Sequence, residues 1–194
     1  MKRRVIGTLL GIVASLVTAV SSHGQGQIWF DNYNNQNPSG PNSGYSSPIS
    51  LGNGPFAGQL VPVGFTVELH YVLGTAVDPN PGNPSNFGFG TLAASSPVSM
   101  PGYVLPSIAT IPTYTSGPIT FQLDAFGTIS GNQYRGKSPV LTLPSIATGT
   151  TLPGFLDGLQ SFSVFLVPEP GTLTLVICGG AAWIMRRRIA SRTQ

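Results

Sequence analysis

Ile119-Thr120-Phe121-Gln122-Leu123-Asp124-Ala125 decides the fold class of this chain. Apolar side chains at 119, 121, 123 and 125 alternate with polar ones at 120, 122 and 124, and a period of two sends the two sets to opposite faces of a strand. The expectation is one buried face and one wet face, with Gln122 and Asp124 in solvent. Phe65, Val67, Leu69, Tyr71 and Leu73 repeat the pattern against Thr66, Glu68 and His70. Gln27 to Asn32, Phe87 to Ala93, Pro139 to Leu143 and Leu159 to Val167 are further strand candidates, and no stretch between residues 25 and 167 carries a 3.6-residue period. Proline and glycine punctuate the chain every few residues, as short antiparallel strands require. One-faced strands bury their apolar sides most economically against each other, so the pattern predicts an all-β body, an antiparallel β-sandwich.

Two stretches read as irregular surface loops. Asn32 to Gly58 is dominated by Asn, Gly, Ser and Pro, and Asp78 to Asn86 repeats Asn-Pro and Pro-Gly steps. One hexapeptide occurs twice: Leu105-Pro106-Ser107-Ile108-Ala109-Thr110 returns as Leu143-Pro144-Ser145-Ile146-Ala147-Thr148. Ser-Pro-Val precedes both copies, at Ser96 to Val98 and Ser138 to Val140, and an apolar-rich strand candidate follows each. The expectation is a duplicated strand–loop–strand unit with its copies on opposite sheets; two copies are too few for a solenoid.

Outward from the body, both ends change character. Lys2, Arg3 and Arg4 precede an uncharged stretch from Val5 to Val20, and small residues follow at Ser21, Ser22 and Gly24. This is the three-part layout of a secretory signal peptide, with cleavage between Gly24 and Gln25 and with cuts after Ser22 or Gly26 also compatible. At the far end, Val167-Pro168-Glu169-Pro170-Gly171 leads into the apolar run Leu173 to Met185, then Arg186-Arg187-Arg188 and Arg192. The run of 13 residues spans about 20 Å as a helix, short against a hydrocarbon core of about 30 Å. Thr172 and Gly171 can lengthen it, and the arginines can snorkel to the headgroups. The positive-inside rule keeps the arginines cytoplasmic and the body outside. The division is therefore 1–24 signal peptide helix, 25–167 β-body, and 168–194 sorting and anchor segment with one transmembrane helix.

The Pro-Glu-Pro motif, apolar run and arginine cluster resemble the PEP-CTERM sorting segment of exported Gram-negative proteins. In that family an exosortase, a membrane-embedded cysteine transpeptidase, recognises the motif and cuts beside it, and hosts commonly make exopolysaccharide. The resemblance implies that Pro168, Glu169 and Pro170 are recognition residues for another enzyme, with Arg186, Arg187 and Arg188 as the membrane stop. Two prolines also hold the peptide extended, as a protease requires of its substrate. Signal peptidase and exosortase are then the processing partners, the inner membrane is a transient anchor, and the final location is the cell surface or outside. The body resembles, more loosely, sequences that accompany this tag, through Pro118 to Phe126, Tyr134 to Ser138 and Gly158 to Phe162. Where an aromatic and an Asp often follow Ala125 there, this chain has Phe126 and Gly127, and the departure removes a possible polar contact. No activity comes with that likeness.

Charge is partitioned by segment. Of nine Lys and Arg, only Arg135 and Lys137 fall in residues 25–167, against Asp31, Glu68, Asp78, Asp124 and Asp157, so the body carries −3 although the chain carries +3. That excludes a basic nucleic-acid patch. The only cysteine, Cys178, lies in the anchor, so the body has no disulfide. Catalysis lacks a constellation. His70 and Glu68 share a strand face but bring too few ligands for zinc, Glu68 and Asp124 would flank a sugar only if their strands pair, and there is no Gly-x-Ser-x-Gly elbow. The reading is a non-enzymatic surface or matrix protein without metal or cofactor. The alternative is a carbohydrate-binding module for exopolysaccharide, whose stacking rings would come from Trp29, Tyr33, Tyr45, Tyr103, Tyr114 and Tyr134.

Overall fold

A computed structural model describes residues 25–33, 46–84 and 86–167, and these residues form strands and turns with no helix. The strands are β1 (Gly26–Phe30), β2 (Ile49–Leu51), β3 (Thr66–Leu73), β4 (Thr91–Met100), β5 (Tyr103–Val104), β6 (Ser107–Ile111), β7 (Ile119–Ile129), β8 (Asn132–Lys137), β9 (Leu141–Leu143), β10 (Ala147–Thr148) and β11 (Phe162–Leu166). They build a three-stranded sheet ordered β10-β1-β6 and an eight-stranded sheet ordered β2-β11-β8-β7-β3-β4-β5, with β9 also on β7. The all-β expectation stands. The antiparallel expectation fails at one pair: β11 runs parallel to β2, with Phe162 opposite Ile49 and Val164 opposite Leu51. A parallel pair needs a long connection, and here more than a hundred residues separate the partners in sequence.

The central hairpin-like block is β3, β7 and β8. Phe65, Val67, Leu69, Phe121, Leu123 and Ala125 are all buried, as their alternation predicts, and they join Ile28, Phe30, Ile49, Ile111 and Val164 in one apolar cluster fed by both sheets. Fully burying a side chain such as Leu123 contributes roughly 1.5–3 kcal/mol. Two glycines hold the sheet close. A Cβ at Gly127 would fall 2.5 Å from the Phe65 ring, and one at Gly136 would fall 2.3 Å from the Ser163 carbonyl oxygen. Gly127 therefore makes the seat for an aromatic ring.

The wet face of β7 is a wrong expectation. Thr120, Gln122 and Asp124 are buried along with their apolar neighbours. The alternation correctly assigns two faces, but it carries no information about what lies on the polar one. A second correction concerns Asn32 to Gly58. This stretch contains β2, and Asn32 is a buried tie, its amide donating to the carbonyls of Ser47 and Gly102 while its side-chain oxygen accepts from the Val104 N–H. The Phe87 to Ala93 strand starts later than expected, at Thr91.

The repeated hexapeptide resolves into a symmetric arrangement with a slip. Both copies flank β1, one as β6 and one as β10, within the same sheet rather than on opposite ones. Ala109 lies opposite Ile28, whereas its equivalent Ala147 lies opposite Gln27. One residue of slip inverts the faces: Ala109 is buried and Ile108 is 47% exposed, whereas Ile146 packs against the core.

Candidate functional site

The strand register builds a polar platform on the outer face of the eight-stranded sheet. Glu68 pairs with Asp124 and His70 with Gln122 across β3 and β7. β8 places Lys137 opposite Asp124 and Arg135 opposite Phe126, and β9 places Thr142 opposite Thr120. Directly opposed residues share a face and lie within side-chain reach, so these positions form one continuous surface.

The segment after β3 roofs this surface. The Ala76 N–H donates to Thr120 Oγ1, which in turn donates to the Gly74 carbonyl, and Thr120 also bonds Thr142. Asp78 accepts from Lys137 Nζ at 2.8 Å and from Gln122 Nε2 at 3.2 Å, and the Asn80 carbonyl accepts from the same ammonium at 2.7 Å. Further along, Phe87 packs against Phe126, with the Arg135 guanidinium 4.7 Å from the Phe87 ring centre. The stretch that reads as a surface loop is therefore fastened at Asp78 and Asn80, which meet Lys137, and just past its end at Phe87, which meets Arg135, partners about 50 to 60 residues away. Between this roof and the β8–β9 turn lies a cavity of about 440 Å³, walled by Val77, Pro81, Pro84, Ser138, Asp78 and Lys137.

Under the roof sits a carboxyl in an unusual state. Asp124 is fully buried, and neither of its oxygens has a hydrogen-bond partner among the described residues. His70 Nε2 is 3.2 Å from Glu68 and 3.8 Å from Asp124. Burial pushes the Asp124 carboxyl up to about 6, with Glu68 and Asp78 adding to the rise and His70 and Lys137 opposing it. Asp78 moves the other way. Burial raises it, but the bonds from Lys137, the Asn80 N–H and Gln122 outweigh that and hold it below the usual carboxylate range. His70 Nδ1 and Gln122 Oε1 are also buried without partners among the described residues. Of this set, closed in by a loop, the Asp124 carboxyl is the one that burial brings toward neutral pH.

Glu68 and Asp124 are thus neighbours, but Asp124 faces the roof rather than an open sugar cleft. Among the described residues no group of three or more His, Cys, Asp or Glu side chains is arranged to hold a metal ion.

The proposed stacking rings do not converge as a set. Tyr114 and Tyr134 are buried in the core and offer no face to a ligand, which corrects that expectation for both. Tyr114 spends its hydroxyl on the Gly117 carbonyl and the Ile146 N–H, and so ties down the second hexapeptide copy. Tyr134 lies on the inward-facing positions of β8 with Gly136, a pattern readable from the Tyr134-Arg135-Gly136 alternation. Trp29 stacks on Phe155 at 6.4 Å, and Tyr33, half exposed, meets Tyr103 edge-on at 5.3 Å. Tyr45 lies outside the described residues, as do Gly24, Pro168, Glu169, Pro170, Arg186, Arg187 and Arg188. Gln25, the residue that would follow signal cleavage, is exposed and immediately precedes β1. No family model, curated protein or solved structure matches this chain.

Proposed function

We propose that this chain is a non-enzymatic cell-surface or extracellular-matrix protein, exported through its N-terminal segment and sorted through its C-terminal one. In this reading residues 1–24 are a signal helix removed at export, the β-sandwich body follows, and Leu173 to Met185 is a single membrane helix that holds the chain until processing. The observation that carries it is the order Pro168-Glu169-Pro170, apolar run, Arg186-Arg187-Arg188. The fold supports it at the junction. β11 ends at Leu166, and the last backbone bond of the described body is donated by the Val167 N–H to the Gln133 carbonyl. A cut at or beyond Pro168 would leave every described strand intact. The body's net charge of −3 fits a released, soluble product.

The test is fractionation of an epitope-tagged chain in a host with a matching exosortase. Glu169→Ala leaves the apolar run and arginines untouched, so the chain still inserts but its body stays membrane-bound. Replacing all three arginines by Ala weakens the stop and the orientation instead. Release of the Glu169 variant at the normal rate and size overturns the reading.

A second reading, binding of exopolysaccharide, draws on the Tyr33–Tyr103 pair, which stands at the root of the Asn- and Ser-rich 34–45 stretch. A glycan array separates it: retention that survives Tyr33→Ala and Tyr103→Ala removes those rings from any sugar site.

A further inference from the structure

We propose that Arg135 anchors a binding site for an acidic polysaccharide, its guanidinium taking the carboxylate of a sugar-acid unit whose ring lies against the neighbouring phenylalanines. The site deepens the polysaccharide-binding reading and rests on it, but lies at a different place from the Tyr33–Tyr103 pair.

Arg135 and Lys137 are the only Arg and Lys in residues 25–167, and their circumstances are opposite. Lys137 is spent on Asp78 and the Asn80 carbonyl. Arg135 is exposed, and its side chain has no hydrogen bond or ion pair among the described residues. An opposite charge across the strand would stabilise it. Its direct partners are instead Phe126 on β7 and Phe165 on β11. The guanidinium carbon lies 4.7 Å from the Phe87 ring centre and 5.9 Å from that of Phe126. Such contacts hold the faces of the planar group and leave its N–H edges free. A fixed fork of donors, matched to a carboxylate, therefore stands unneutralised in a body of net charge −3.

The neighbouring side chains define the rest of the ligand. Phe126 and Phe165 share the face of Arg135 from either side, two strand spacings or about 10 Å apart, and both are partly exposed. Two residues along, Thr128 and Gln133 are paired on that same face, and both are exposed. The surface thus offers a bidentate anion contact, apolar ring faces, and a hydroxyl and an amide side by side. A sugar acid presents the matching three groups: a carboxylate, the C–H face of its ring, and hydroxyls. A neutral sugar leaves the fork unused, and an acidic peptide leaves the rings unused. Because the contacts lie on an exposed strand face, an internal unit of a long chain can lie across them.

Calorimetric titration of the purified full-length chain in mild detergent tests this, with polygalacturonate, dextran and polyglutamate as probes. Polygalacturonate should bind, and added salt should weaken it. Dextran and polyglutamate should bind far less. Arg135→Gln should weaken polygalacturonate about tenfold to a hundredfold, the worth of a charge-assisted hydrogen bond. Arg135→Lys keeps the charge but loses the fork, and should recover little of that loss. Phe126→Leu should weaken binding while the salt dependence stays the same. Failure of polygalacturonate to bind, or binding that survives Arg135→Gln in the folded protein, overturns the site. Equal binding of polyglutamate reduces it to charge alone and overturns the sugar-acid assignment. Loss on Tyr33→Ala and Tyr103→Ala, with Arg135→Gln silent, keeps polysaccharide binding but removes it from Arg135.

Discussion

The two faces of β7 are both buried, yet by different means. Ile119, Phe121, Leu123 and Ala125 enter a core assembled from both sheets, whereas Thr120, Gln122 and Asp124 lie beneath one polar loop. The first face is stabilised by removal of apolar surface from water, which is non-directional and tolerant of detail. The second is stabilised only where each polar group meets a partner, and it is penalised wherever one does not. Burial alone therefore says little about what a residue contributes.

The comparison breaks most directly at Leu123. Leu123→Ala leaves a cavity in the shared core and should cost about 2–5 kcal/mol in chemical unfolding. A cost below about 1 kcal/mol would mean that the inner face is not the principal source of stability.

The outer face should instead show itself through pH. The Asp124 carboxyl is raised from an ordinary 3.8 to about 6. Below about pH 4 it is neutral in both folded and unfolded states, and burying it carries no ionic cost. As pH climbs from there through 6, the unfolded chain ionises first, so stability falls, by roughly 3 kcal/mol at most once pH exceeds the folded value. Asp124→Asn should remove that fall. Unfolding midpoints measured from pH 4 to 8 settle it, since parallel curves for the two proteins would mean that Asp124 titrates normally.

The smallest effect belongs to Thr120, whose hydroxyl serves Ala76, Gly74 and Thr142 at once. Thr120→Val keeps the shape and strands those groups, at a cost of about 1–2 kcal/mol. Amide exchange should report the change at Ala76 before it reaches Leu123, because the roof opens without the core.

Alternation in the sequence is enough to define the inner face, residue by residue, at Phe65, Val67, Leu69, Phe121 and Leu123. The roof is not legible in the same way. Its fastening depends on Asp78 meeting Lys137, and neither residue carries a local signal of the other. Asp124 reads as a wet strand residue for the same reason, so the candidate site was visible only as the Glu68–His70 spacing and the chance that β3 and β7 pair. The hexapeptide repeat is plain in the sequence, but its one-residue slip against β1 is set by tertiary register and inverts the faces of Ile108 and Ile146. Tyr114 and Tyr134 look like binding rings because composition cannot separate a core tyrosine with a bonded hydroxyl from a surface one.

The position of β11 has a kinetic consequence. It is the last strand of the described body, yet it sits inside the eight-stranded sheet, between β2 and β8. Until residues 162–166 arrive, both neighbours present open edges, and open edges pair readily with other chains. The β2–β11 contacts also close one of the longest loops in the body, and such pairings form slowly. The aggregation-prone stage of a chain of this topology lasts from the emergence of β2 to the docking of the final strand.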